Sequence, residues 1–230
     1  MNKLPIVDIT KFTFQDFPEH TACIIWFAGC NFRCPYCHNP EFITGNLQKI
    51  DEQKILDFLK SRIGLLDGVV LSGGECCLFD DVYDFIKKIK EMGFLVKIDT
   101  NGTNAKLIKK LVNDKMIDFV ALDYKAPKEK FKSIAGIDGF DKFDEALKFL
   151  IQSNIDMEIR TTVHTKLLNE DDVNNIILDL ENKGYNKTYH IQNFRNDNKS
   201  TLGNIGDQDR ILNKELIKSS KIKVFFRNFF

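Results

Sequence analysis

Short apolar runs alternate with amphipathic ones along most of this chain of 230 residues, and that alternation limits the folds open to it. The pattern predicts strands at Cys23–Phe27, Gly68–Leu71, Leu95–Ile98, Phe119–Leu122, Glu158–Val163 and Thr188–Gln192. Between them it predicts helices at Asp51–Arg62, Asp81–Met92, Ala105–Asp114, Phe140–Ser153 and Glu170–Lys183. In Asp81–Met92 the apolar residues Val82, Phe85, Ile86 and Ile89 fall at i, i+3, i+4 and i+7, which is one helical face. Asn104 and Asn169 are suited to cap helix N-termini, and Gly93 and Gly184 to end helices. Strand–helix alternation implies a parallel sheet with right-handed crossovers. Six units are too few to close an eight-fold barrel, which leaves an open, partial barrel or a doubly wound sheet. Either way, functional groups are expected at the C-terminal ends of the strands. With no repeat, low-complexity tract or Pro/Gly/Ser-rich linker, the chain reads as one domain over 1–230. Residues 1–20 are expected as a lead-in, and 208–230 as a C-terminal helix and strand or tail.

The six cysteines, Cys23, Cys30, Cys34, Cys37, Cys76 and Cys77, all lie in the first third of the chain. A disulfide framework would spread them across the fold. Clustering without an export signal points to metal binding in a reducing, cytoplasmic setting. Lys+Arg and Asp+Glu both total 33, so no global charge draws the chain to nucleic acid or to an anionic membrane, and neither is expected as a partner. The longest clear apolar run, Ala22–Cys30, falls well short of the roughly 20 residues that span a bilayer.

The predicted first strand runs into Gly29-Cys30-Asn31-Phe32-Arg33-Cys34-Pro35-Tyr36-Cys37-His38, with C-x3-C-x2-C spacing. Thiolates suit iron–sulfur clusters or zinc. Three of them can hold three irons of a [4Fe–4S] cube and leave the fourth iron open to an exogenous ligand. Two plainer readings remain: a Cys3His zinc site using His38, for which adjacent Cys37 and His38 are poorly placed, and buried unliganded cysteines.

The motif resembles the C-x3-C-x-aromatic-C signature of the radical S-adenosylmethionine superfamily, with Tyr36 as the aromatic residue. His38-Asn39-Pro40 resembles the subset that activates glycyl radical enzymes. The chain is similar above all to the activating proteins of anaerobic ribonucleoside-triphosphate reductase. That likeness rests on Asp16-Phe17-Pro18, Leu65 to Val70, Ser72-Gly73-Gly74-Glu75, Asp99-Thr100-Asn101-Gly102, Ala121 to Pro127 and Arg160-Thr161-Thr162-Val163. The resemblance implies a partial (βα)6 barrel, a [4Fe–4S] cluster on Cys30, Cys34 and Cys37, and S-adenosylmethionine chelated at the free iron. It also implies reductive cleavage to methionine and a 5′-deoxyadenosyl radical, which takes hydrogen from a glycine Cα of the partner enzyme. An electron donor such as flavodoxin or ferredoxin is implied with it.

Each further motif falls at a predicted strand end or, for Arg160, within a strand. Gly73 and Gly74 let the backbone approach a ligand and offer carbonyls to its ammonium group, and Glu75 can add a carboxylate. Where the family has proline after that glutamate, this chain has Cys76-Cys77, whose plain reading is a pair of buried thiols. Asp99, Thr100, Asp123 and Lys125 resemble the polar strand ends that line the S-adenosylmethionine site. Carboxylates offset the desolvation of a sulfonium, and Lys125 and Arg160 can pair with the ligand carboxylate. Helix capping and structural ion pairs are the competing readings of these charges. A radical enzyme acting on a small nucleoside-like molecule, an activase of another glycyl radical enzyme, and a non-catalytic iron–sulfur or zinc protein are the alternative functions.

Overall fold

The computed structural model describes residues 4–196 and 201–229. Among these residues eight strands form one sheet in strict chain order. They are β1 (Ile6–Thr13), β2 (Ala22–Phe27), β3 (Gly68–Gly73), β4 (Leu95–Thr100), β5 (Phe119–Asp123), β6 (Asp156–Val163), β7 (Thr188–Asn193) and β8 (Lys223–Arg227). The strands β2 to β8 pair in parallel, and β1 lies antiparallel on β2. The architecture is the expected partial barrel, extended by a strand at each edge. The helices are α1 (Glu41–Thr44), α2 (Glu52–Lys60), α3 (Val82–Glu91), α4 (Ala105–Asn113), α5 (Lys128–Ala135), α6 (Phe140–Gln152) and α7 (Glu170–Asn182).

All six strands and five helices read from periodicity are present, and the expected caps form. The Asn104 side chain accepts from Leu107 N–H, and Asn169 and Asp172 form a reciprocal capping box. Gly93 and Gly184 follow their helices with φ of +89° and +82°, the left-handed stop that glycine tolerates. The chain differs from expectation at its two ends. The lead-in contains β1. Residues 208–222 hold a 3-10 turn at Lys214–Leu216 in place of a helix, and the Phe-rich end is β8. Of that segment, Phe230 lies outside the described residues. Among the described residues no helix is long and apolar enough to cross a membrane.

Two apolar clusters position the site. The larger lies between sheet and helices, where Val82, Phe85, Ile86 and Ile89 of α3 are all buried. The smaller is inside the barrel: Phe17, Ala22, Ile24 and Val70, with Trp26, Leu95 and Phe119 against them. Gly68, Leu95 and Phe119 begin their strands, so Phe17, which abuts Gly68 and stands 6.1 Å from the Phe119 ring, plugs the barrel at the strands' N-terminal end. Above this plug the inward positions become charged. The two-residue side-chain period of a strand puts Lys97 and Asp99, and Glu158 and Arg160, on the same face.

Candidate active site

The cysteine loop is fixed before any cofactor is considered. Arg33 donates from one guanidinium nitrogen to the Cys30 and Phe32 carbonyls, both at 2.7 Å. Its own N–H donates to Ala135 O at the end of α5, Cys37 N–H to Cys34 O, and Gly203 N–H to Pro35 O. The β3 loop locks onto this one, since Gly74 N–H donates to Phe27 O and Glu75 N–H to Gly29 O. The fit requires glycine. A Cβ on Gly74 would stand 2.0 Å from Gly29 O, and one on Gly73, whose φ is +115°, 2.5 Å from Phe27 O.

Around this junction lies a cavity of about 310 Å³ at the C-terminal mouth of the barrel. Every site residue read from the sequence lines it: Cys30, Cys34, Tyr36, Cys37, Gly73, Gly74, Glu75, Asp99, Thr100, Asp123, Lys125 and Arg160. Sequence reading missed several others, among them Trp26, Ser72, Asn101, Thr162 and Gln192. Their signal was available, because Trp26, Thr162 and Gln192 lie in predicted strands and Ser72 and Asn101 follow the C-terminal ends of two others.

Arg160 is the electrostatic hub. Its Nε donates to Asp123 Oδ1 at 2.6 Å, one terminal nitrogen lies 3.2 Å from Asp99 Oδ2, and the other 3.7 Å from Glu158 Oε1. Lys97, only 2% exposed, reaches Asp99 Oδ1 at 2.5 Å, and Lys125 reaches Asp123 Oδ2 at 2.9 Å. Arg227 of β8 bonds Glu158 Oε2 at 2.8 Å. Burial alone would push the Asp99 and Asp123 carboxyls up. Arg160, with Lys97 beside Asp99 and Lys125 beside Asp123, outweighs burial and holds both below the usual carboxylate range. Burial likewise works against the charge of Lys125 and Arg160, and their carboxylate neighbours more than restore it. The site is therefore a wall of fixed, ionised groups.

Glu75 occupies the cavity wall in a different way from the one expected. Its carboxylate accepts from Cys77 N–H at 3.0 Å and from the Thr100 hydroxyl at 2.7 Å on one oxygen, and from Asn101 N–H at 2.6 Å on the other. It clamps the β3 loop to the β4 loop, with the side chain 2% exposed and the carboxyl raised to about 7 by burial despite its donors. The backbone that follows turns into a 3-10 helix at Cys76–Leu78. Both thiols of the cysteine pair are buried, and Cys76 Sγ donates toward Leu71 O and Asp99 O at 3.8 and 3.6 Å. Because each Glu75 oxygen accepts from a backbone N–H, Glu75→Gln must turn an amide N–H₂ against one of them. This isosteric change should lower stability by about 1–3 kcal/mol, read as a shift in the urea midpoint at pH 8. An unshifted midpoint would show that the clamp carries no weight.

The residues fit an iron–sulfur cluster with an organic ligand better than a single ion. A tetrahedral zinc requires all its donors within about 2.3 Å of one point. Among the described residues, the group of three such donors whose atoms fall within 4.8 Å of one another is Glu75, Cys76 and Cys77, so Cys30, Cys34 and Cys37 are spread more widely. A cube takes each thiolate on a separate iron and tolerates that spread. Burial pushes the Cys34 thiol up to about 11 and raises Cys30 and Cys37 in the same direction, so bound metal must supply the charge that keeps them as thiolates. The buried Tyr36 hydroxyl, in the cavity wall, has no hydrogen-bond partner among the described residues, which a polar ligand would supply. His38 stacks on Phe194 at 4.9 Å.

A family model described as the Radical SAM superfamily matches residues 24–180. Among curated proteins, one from Methanocaldococcus jannaschii, named as a glycyl-radical enzyme activating enzyme, is 36% identical over 74% of this chain and 72% of its own. The pyruvate formate-lyase-activating enzyme of Clostridium pasteurianum is 32% identical over 61% of this chain and 60% of its own. Among solved structures, Streptococcus suis SuiB bound to S-adenosylmethionine superposes with a TM-score of 0.61 at 13% identity, over 78% of this chain and 44% of that one. At that identity the likeness is one of fold, and the chain spans less than half of that structure.

Proposed function

Because the chain belongs to the radical SAM superfamily, whose members use a [4Fe–4S] cluster and S-adenosylmethionine, we propose that it is an activase that installs a glycyl radical on a partner enzyme, most specifically an anaerobic ribonucleotide reductase. The observation that carries the activase reading is the match, over nearly three quarters of both chains, to a relative named as a glycyl-radical enzyme activating enzyme. The reductase as partner rests on the motif likeness set out from the sequence, and an electron donor of the flavodoxin or ferredoxin kind completes the assembly.

The bound cofactors supply one electron to the sulfonium and, from its cleavage, a carbon radical able to take hydrogen from a glycine Cα. The chain's own groups do the rest. Cys30, Cys34 and Cys37 would hold three irons of the cluster. The Gly73 and Gly74 backbone lies flush with the cavity, where its carbonyls can meet the ligand's ammonium group. Lys125 and Arg160 would face the ligand carboxylate, and Asp99 and Asp123, kept ionised, would offset the positive sulfonium. Tyr36 and Thr100 complete the wall. In this reading Glu75 acts through the loop it clamps.

The test is to mix the reconstituted protein anaerobically with S-adenosylmethionine, a reductant and an anaerobic ribonucleotide reductase, and to record the electron paramagnetic resonance spectrum. A doublet glycyl-radical signal is expected, lost when the partner's glycine is changed to alanine. A doublet with a different glycyl radical enzyme, and none with the reductase, would replace the partner. No doublet with either would favour a small-molecule substrate.

A further inference from the structure

Beside the first cavity, the barrel mouth carries a second one of about 190 Å³, walled by His38, Thr162, Gln192, Asn193, Arg195 and Asn228. His38, Thr162 and Gln192 also line the first cavity, so the two spaces share a wall. Among the described residues the wall contains three carboxamides, a hydroxyl, an imidazole and a guanidinium, with no carboxylate and no aliphatic side chain. It is built from strand ends: Thr162 near the end of β6, Gln192 and Asn193 closing β7, and Asn228 just past β8.

The floor is fixed. Gln208 donates to Asn193 Oδ1 at 3.0 Å and to Phe194 O at 3.3 Å, and accepts from Thr165 N–H at 3.0 Å. Three polar side chains of the lining are unspent among the described residues. The Thr162 hydroxyl and the Gln192 and Asn228 carboxamides make no hydrogen bond to another described residue. Asn228 also sits at φ +63°, a left-handed conformation that costs most side chains free energy and that asparagine tolerates better.

A carboxamide donates and accepts at once. A group of unspent carboxamides and a hydroxyl therefore complements a ligand that alternates donors and acceptors along its length, as a peptide main chain does. A phosphate would call for more than one cation. A nucleobase would call for a ring to stack on, and the one ring in the wall, His38, already stacks on Phe194.

We propose that the second cavity holds the main chain of the protein substrate beside the residue that gives up its hydrogen, with Thr162, Gln192 and Asn228 exchanging hydrogen bonds with its peptide groups. This rests on the activase reading. The test uses the reconstituted holoenzyme with S-adenosylmethionine, the blocked peptide acetyl-Ala-Ala-Gly-Ala-Ala-amide, its glycine Cα carrying two deuteriums, and, for the transfer assay, a low-potential one-electron reductant that supplies the electron for sulfonium cleavage. Calorimetry gives the peptide dissociation constant, and mass spectrometry gives the deuterium that reaches 5′-deoxyadenosine as the glycine C–D bond breaks and a C–D bond forms at C5′. Asn228→Gly keeps the left-handed backbone and removes the carboxamide. It should raise the peptide dissociation constant about tenfold, equivalent to about 1.4 kcal/mol. Thr162→Val, a near-isosteric change, should act in the same direction. The dissociation constant of S-adenosylmethionine reports the first cavity, which Asn228 does not line, and should move less than twofold in Asn228→Gly. If the unaltered enzyme transfers deuterium and both variants bind peptide as tightly as it does, the cavity assignment fails and the activase reading stands. If the unaltered enzyme neither binds nor dedeuterates the peptide, the cavity assignment falls while the doublet with a partner enzyme decides the activase reading; if guanosine or adenosine serves as hydrogen donor instead, both fall together.

Discussion

Replacing Cys30, Cys34 or Cys37 by alanine is expected to strip the protein of its iron and to stop reductive cleavage of S-adenosylmethionine. A cube bound through three thiolates should bring about four irons per chain, and removal of one thiolate leaves it tethered by two. Loss of even a group that merely orients a metal ligand costs about 10- to 100-fold in metal affinity or activity, so loss of a ligand should cost more than about a hundredfold. The other three cysteines set the control. Cys23 is fully buried in the core between sheet and helices, with its thiol raised to about 12 by burial, and Cys76 and Cys77 are buried behind the β3 loop. Replacing any of these three by alanine should cost about 1 kcal/mol or somewhat more in packing and leave the iron in place. The control has an edge, because Cys76, Cys77 and Glu75 are themselves close enough to grip one ion. Iron retained in Cys34→Ala and lost in Cys76→Ala would move the metal centre to the buried group. The measurement is iron and sulfide content after anaerobic reconstitution, with 5′-deoxyadenosine quantified in the same samples.

The second large effect is expected at Arg160. Its guanidinium touches Asp99, Asp123 and Glu158, on three different strands. Arg160→Met fills similar space and leaves those carboxylates to Lys97, Lys125 and Arg227, with His190 Nε2 3.4 Å from Glu158 Oε2. Breaking a buried charge network from one side costs about 3–5 kcal/mol, because the remaining charges stay desolvated without their partner. The pH dependence gives a sharper readout than the midpoint. Asp99 and Asp123 titrate below the unfolded value of 3.8 in the folded chain. The stability they contribute is therefore complete above about pH 4 and is lost as pH falls through their lower folded values. In Arg160→Met those folded values should rise toward or past the unfolded one. Acid unfolding should then begin at higher pH, with a shallower loss of stability below pH 4. Binding of S-adenosylmethionine should weaken in the same variant at neutral pH, since the cation proposed to face its carboxylate is gone. An Arg160→Met protein with the parent's acid profile would mean that Lys97 and Lys125 hold the carboxylates unaided.

What could be read ahead of the structure divides along physical lines. The cysteine loop was legible because ligand spacing is a property of adjacent residues. The strand ends were legible because a βα repeat fixes which end of each strand carries function. β1 was not. Its sequence IVDITKFT breaks alternation twice, with two apolar residues at Ile6-Val7 and two polar ones at Thr10-Lys11, and the strand carries register shifts between Ile6 and Asp8 and between Thr10 and Thr13. The helix α5 was missed although its punctuation was present, with Pro127 before it and Gly136, at φ +79°, after it. The role of Glu75 was hidden for another reason. A carboxylate beside two glycines reads as a ligand group, and only the fold reveals that the N–H of Asn101, 26 residues on, turns back to meet it. Lys97 was passed over in the same way. A lysine in a short apolar strand looks like a solvent-facing position, yet this one lies inside the barrel against Asp99.

The sheet order, β1 through β8 without a single inversion, bears on how such a molecule assembles. In a closed ring the first and last strands must find each other, and the chain-closure entropy of that meeting spans the whole sequence. Here every new strand pairs with the one made just before it, so each step from β2 onward closes one connection and no more. Sequence-local pairing of this kind shortens the average span of native contacts, which is the topological quantity that sets folding speed. Growth can run in either direction from any pair that forms first. The residues of the cavity, drawn from β2 through β7, come together as those pairings accumulate, with no final closure to wait for.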